Sequence, residues 1–212
     1  MRSVVSVVLF LFPIHLLFIK IKNYLYDKNI LSPTRVGATV ISVGNISLGG
    51  TGKTPFTIAL SNFLVQRGKS VGVLTRGYGR RGRGDFLLKN HSVKEAGDET
   101  IVLRNNLSES IPIYVSKNKT LGARKLASLG CDTVILDDAF QHRNVSAGLN
   151  ILLTAYDQLY CDDYVLPTGN LREPRLGAKR AHAIVVTKSP ESLSQDSKSR
   201  IVQQLNILPS QE

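Results

Sequence analysis

Cysteine is nearly absent from this chain of 212 residues: only Cys131 and Cys161 occur. They form neither a CxxC pair nor a metal-ligand spacing, so a dithiol redox motif and a thiolate metal site are excluded. Reduced, structural thiols in a cytosolic compartment are expected instead. Acidic residues are also few. Asp and Glu number 16 against 27 Lys and Arg, a formal net charge of +11. Such a surplus points to an anionic partner: nucleic acid, anionic lipid or a phosphorylated substrate. No recognisable nucleic-acid-binding motif accompanies the charge, so nucleic acid is not expected. Internal repeats and low-complexity tracts are missing too. What is present is 42% hydrophobic residues, enough to bury the core of one α/β domain with extra segments.

Residues 3–19 (SVVSVVLFLFPIHLLFI) form an apolar run interrupted by Ser, Pro13 and His15 and followed by Lys20 and Lys22. A secretory signal needs a small-residue cleavage site, and the IKIKNYLYDK that follows has none. A membrane span needs about 20 apolar residues, and Pro13 falls in the middle of this run. A helix lying in the membrane interface fits better, its apolar side in lipid and Lys20, Lys22 and Lys28 toward phosphates. A genuine span and a buried core helix stay open. Residues 1–32 are therefore read as an apolar, membrane-associating segment ahead of a domain over 33–212.

That domain opens on VGNISLGGTGKTP, Val43 to Pro55. A β-branched run (Ala38 to Val43) precedes four glycines (Gly44, Gly49, Gly50, Gly52), then Lys53-Thr54, then a helical pattern to about Gln66. Strand, glycine-rich loop and helix in this order make a phosphate-binding P-loop. Glycines let backbone N–H groups turn inward around an anion, the helix N-terminus aims at the same place, and Lys53 adds a point charge. Thr54 is placed to hold magnesium. The usual pattern has glycine where this chain has Ser47.

Further strands are expected over Ser70–Thr75, Ile111–Val115, Thr133–Asp138, Asn150–Thr154 and Ala183–Thr187, with helices over Lys119–Ser128 and about Glu191–Leu205. The first of these strands runs into RGYGRRGRGD, at what would be the carboxyl edge of the sheet, where ligands bind in open α/β folds. Arg76 and Arg80, flanking Gly77-Tyr78-Gly79, are expected to grip an anion, whereas Arg81 and Arg83 read as solvated. AGDET (residues 96–100) reads as a helix start with acids in its first turn, and Asp98 there is also placed to act as a base. TVILDD resembles a Walker B strand, whose acid, Asp137 or Asp138, holds magnesium. The loop Ala139 to Arg143 adds Gln141 and His142. Residues 166–180 carry too much Pro and Gly for regular structure, and Arg172, Glu173 and Arg175 are expected to project from them. After the last strand, Pro190 stands where G proteins place the Asp of N/T-K-x-D, so GTP specificity is not expected.

Taken together, VGNISLGGTGKTP, TRGYGRR, GDET, LDDAFQHR, LPTGNLREPR and VVTKSP resemble the tetraacyldisaccharide 4'-kinase family of lipid A biosynthesis, in the family's order and over nearly all of the chain from Tyr24. The family also carries Ser at the position of Ser47 and begins with an apolar helix. The resemblance implies an α/β, P-loop NTPase-like fold, a mostly parallel sheet flanked by helices, and a peripheral or singly anchored enzyme on the cytoplasmic face of the inner membrane. It implies transfer of the γ-phosphate of ATP to the 4'-hydroxyl of an anionic lipid A precursor. By that likeness Ser47, Leu48, Gly49, Gly50, Thr51, Gly52, Lys53 and Thr54 cradle ATP, while Thr54 with Asp138 or Asp137 holds Mg²⁺. Asp98, Lys53 and His142 serve catalysis, and Arg76, Tyr78, Arg80, Gln141 and Arg172 serve the lipid. Thr100 replaces the family's usual proline after GDE. The family's second lobe lies beyond the stretch matched here, so a membrane-associated P-loop ATPase or a non-catalytic part of the kinase are the alternative readings.

Overall fold

Six runs of β-branched and aliphatic residues set the centre of the molecule. The computed structural model describes residues 16–82, 84–89 and 91–212; the apolar run through residue 15, and Arg83 of the basic loop, lie outside them. Strands β1 (Thr39–Gly44), β2 (Val71–Thr75), β4 (Ile113–Val115), β5 (Thr133–Leu136), β6 (Leu149–Ala155) and β7 (Ala183–Thr187) are joined by a two-residue β3 (Phe86–Leu87). They form a seven-stranded sheet in the order β3-β4-β2-β5-β1-β6-β7. Every pairing is parallel except β3 with β4. Parallel sheets are covered on both faces, which is why these strands read as continuous apolar runs and not as alternating ones.

Successive side chains point to opposite faces. Ile41, Val43, Val71 and Ile135 pack against Phe56, Leu60 and Leu64 of α2 (Lys53–Gln66). Val40, Leu74, Val134 and Leu136 pack against Ala123 and Leu126 of α5 (Lys119–Ser128). Helix α4 (Asp98–Asn106), preceded by the single turn α3 (Val93–Ala96), adds Leu103 to the α2 side, and α6 (Gln195–Leu205) adds Leu205 to the α5 side near β6 and β7. The chain leaves β1 for β2 on one side and later returns to its other side as β6. A crevice therefore opens at the carboxyl ends of β1 and β5, where such sheets take their ligands.

The sequence expectations for the main strands and helices are met within a residue or two, with three differences. Helix α6 starts at Gln195, not near Glu191, because Ser194, itself extended, caps the first turn, its Oγ accepting from Ser197 N–H at 3.2 Å. The stretch from 166 to 180 ends in a 3₁₀ turn over Arg175–Arg180. Glu173 does not project: it is 1% exposed, because Arg180 meets both its oxygens at 2.9 Å. The outer edge of β7 is taken by the chain itself, Ile184 N–H donating to Glu212 O at 2.8 Å and Glu212 N–H to His182 O at 3.0 Å.

Residues 16–27 form α1. Arg143, in the loop after β5, fastens it: its guanidinium meets Asp27 at 2.7 Å, donates to Asn23 O at 3.1 Å and stacks 5.0 Å over the Tyr26 ring. Leu17, Ile21 and Tyr24, at helical spacing, stay exposed. Among the described residues no helix is long and apolar enough to cross a membrane.

Candidate active site

The loop from Asn45 leads straight into α2. Its N-cap, Gly52, has φ 72°, a left-handed turn that only glycine takes without strain. No side chain caps the helix and its first turn holds no acid, so the first N–H groups are left for a ligand. The loop is held in shape from outside. Asn45 Nδ2 donates to Thr51 Oγ1 at 2.7 Å, Leu48 N–H to Asn170 O at 2.6 Å and Thr187 Oγ1 to Thr51 O at 3.0 Å. Lys53 Nζ donates to Asn45 Oδ1 at 3.4 Å and stands 3.7 Å from Asp138 Oδ1.

The two acids after β5 differ in setting. Asp138, with φ 47°, turns outward and meets Arg172 Nη1 at 3.3 and 3.4 Å. Asp137 is buried and accepts from Thr57 Oγ1 at 3.2 Å. Burial pushes its carboxyl up to about 6, against the pull of the nearby Lys119 charge. Lys119 is itself buried, at the first position of α5, and donates to Leu74 O at 3.2 Å and Asp137 O at 3.0 Å. Burial lowers its amine to about 8, while Asp137 and Asp138 favour its charge. A buried ammonium thus ties the ends of β2 and β5 together beneath the acids.

A cavity of about 700 Å³ collects most of the predicted residues. Leu48, Gly49, Gly50, Thr51, Gly52, Lys53 and Thr54 line it with Arg76, Tyr78, Asp137, Asp138 and Arg172. Thr75, Glu99 and Lys188 line it as well, and the sequence reading gave them no role. Ser47 is drawn aside into a bridge with Leu171. Asp98 does not line it: it stays exposed on the first turn of α4, beside Gly79.

Arg80 does not reach the cavity. Its guanidinium is buried, 4.0 Å from Asp85 and 5.4 Å from the Phe86 ring. Because Gly77 turns left-handed, the arginine folds back under its own loop and does not project over it. Gln141 and His142 lie on the far side of the acid loop. Gln141 Nε2 donates to Asn45 O at 2.7 Å and Glu173 Oε1 at 3.1 Å. His142 lines a separate cavity of about 360 Å³ with Tyr26 and Arg143. Burial, then the charges of Lys119, Lys22 and Arg76, pull its imidazole down to about 4.

The arrangement suits a phosphorylated nucleotide with a divalent cation. Among the described residues no cluster of three or more His, Cys, Asp or Glu side chains forms a cage. Magnesium bound mainly by phosphate, water and one or two side chains needs none.

The sequence profile of the tetraacyldisaccharide-1-P 4'-kinase family matches residues 7–211. A tetraacyldisaccharide 4'-kinase of Flavobacterium johnsoniae is 43% identical over 95% of this chain and 61% of its own length. One from Phocaeicola vulgatus is 39% identical over 91% of this chain and 53% of its own. The chain thus spans little more than half the length of these relatives. LpxK from Aquifex aeolicus, solved in complex with ATP, superposes with a TM-score of 0.76 at 35% identity, covering 90% of this chain and 62% of that one. Shared sequence and shared fold agree: this chain belongs to the tetraacyldisaccharide 4'-kinase family.

Proposed function

We propose that the chain binds ATP with Mg²⁺ and transfers the γ-phosphate to the 4'-hydroxyl of a tetraacylated glucosamine disaccharide 1-phosphate. The carrying observation is the convergence of the loop's N–H groups, Lys53, Asp138 and Arg172 on one cavity, with Lys53 3.7 Å from Asp138. Phosphoryl transfer is chiefly positioning and charge stabilisation. The residues from Leu48 to Thr54 hold the triphosphate, and Ser47 fixes the start of their loop through its bridge with Leu171. Thr54 with Asp137 or Asp138 would hold the magnesium, which would neutralise charge on the phosphate oxygens. The acceptor oxygen forms its bond to phosphorus as the bond to ADP breaks, and Asp98 takes the hydroxyl proton late, as charge develops. Arg76, Tyr78 and Arg172 face the acceptor. Gln141 and His142 support the acid loop from behind, and Arg80 holds the RGYG loop from below.

The acceptor is a lipid whose tails leave a bilayer at a cost of about 0.8 kcal/mol per CH₂, so the enzyme comes to the membrane. The exposed stripe Leu17, Ile21 and Tyr24 supports residues 1–32 as the membrane-associating segment. It lies on the cytoplasmic face of the inner membrane, where ATP is available.

Radiolabelled ATP with the disaccharide 1-phosphate in mixed micelles tests the reading. Labelled lipid is expected from the intact chain. Its rate of appearance should fall on the order of 10²–10³ in Lys53→Ala and roughly 10²–10⁴ in Asp98→Ala. Release of phosphate at the same rate with and without lipid would show a plain ATPase instead.

A further inference from the structure

We propose that Lys188 is a second catalytic cation, whose ammonium binds the β-phosphate of ATP from the β7 side and stabilises the charge that collects there as ADP leaves. This rests on the kinase reading above. Lys188 follows β7 directly, at the carboxyl edge of the sheet. It lines the nucleotide cavity, and its Nζ stands 4.0 Å from the point where a methyl group on Gly50 of the phosphate loop would lie.

Two features hold it there. Thr187 Oγ1 donates to Thr51 O at 3.0 Å and to Thr154 O at 3.2 Å, while Tyr156 N–H donates to Thr187 O at 2.9 Å. The end of β7 is thus pinned to the phosphate loop and to the end of β6. Lys188 itself has φ 55°, a left-handed backbone that residues other than glycine take at a cost and that gathers at ligand clamps. A lysine that serves only solubility needs neither the pinning nor the strain.

The two lysines of the cavity differ in what they already touch. Lys53 is engaged by Asp138 at 3.7 Å and Asn45 at 3.4 Å. Lys188 forms no ion pair among the described residues, so its charge is open to an anion. Sheet order decides which part of the nucleotide it meets. The acids follow β5 on one side of β1, and β6 and β7 lie on the other. The transferred phosphate belongs on the acid side, where Lys53, Asp138 and Arg172 meet, and the part that leaves as ADP lies toward β7. As the bond from the γ-phosphorus to the bridging oxygen breaks, that oxygen keeps the electron pair and the β-phosphate gains negative charge. An ammonium fixed beside it lowers the barrier and gives up no proton.

The test compares the intact chain with Lys188→Met and Lys188→Arg, by calorimetric binding of ATP, ADP and AMP and by the rate of labelled lipid formation. Lys188→Met should weaken ATP and ADP about tenfold and leave AMP within about twofold. Its kcat should fall on the order of 10², with KM for the lipid unchanged. Lys188→Arg, which keeps the charge, should recover most of both losses. Equal ADP affinity in Lys188→Met and the intact chain overturns the role while leaving the kinase reading standing. So does an AMP loss as large as the ADP loss, which would put the lysine on the nucleoside. The side chain is exposed, so Lys188→Met is expected to fold. A lowered melting temperature shared by Lys188→Met and Lys188→Arg would mark a structural residue and overturn the proposal as well. An intact chain that binds no ATP overturns the kinase reading itself.

Discussion

Lys53, Asp137 and Asp138, which line one cavity, can be picked out of the sequence by their neighbours: a glycine run before one, an apolar strand before the others. Lys119 cannot. A lysine opening a helix reads as a solvated residue, and only the pairing of β2 beside β5 reveals the two carbonyls it serves. Lys119→Met should cost about 1–3 kcal/mol, the usual penalty for leaving a buried polar group without its partner. Urea unfolding would measure it, and an unchanged midpoint would contradict it. His142 carries a second prediction. In the unfolded chain it gains a proton near the ordinary histidine value, but in the folded protein only near 4. Across that window acid favours the unfolded chain, so stability is lost as the pH falls and returns as it rises. Unfolding midpoints at about pH 7 and about pH 5 should differ less in His142→Gln than in the parent chain. Equal differences would rule the histidine out as the cause.

At the level of elements, most strands were legible because they are apolar runs, β1, β2 and β5 almost wholly buried and β7 half-buried. Strand β3 was not: two residues on an edge carry no pattern, and they pair only because β4 offers them an open side. The helix start at Asp98 was read correctly from its acids, but its turn was not. Gly97 has φ 90° and ψ 148°, and a methyl group there would run into Tyr78 O. The loop after β2 thus lies directly on the turn that presents Asp98. Gly97→Ala is expected to cost about 1–3 kcal/mol, as for other residues forced into glycine-only backbone. A melting curve overlaying the parent's would sink that account. Proline and glycine content rightly marked 166–180 as irregular, but it could not show that Glu173 turns inward, since Arg180 waits for it across a turn that only the fold closes.

For the molecule as a whole, the positive excess was legible and its use was not, because strand order decides which loops meet. With β5 between β1 and β2, three loops far apart in sequence arrive at one edge of the sheet. Helix α1 stands beside that edge, fastened through Arg143, with its apolar stripe turned outward. Deleting residues 1–32 should raise the apparent KM for vesicle-borne acceptor while leaving that for ATP in place, and an unchanged lipid KM would refute the membrane role. The far side of the sheet tells another story. An unpaired β border is the usual starting point for copies to stack edge to edge into insoluble assemblies. Residue 212 sits along that border of β7 through two backbone bonds, so this stretch of the flank is already paired and closed to the strand of a second copy.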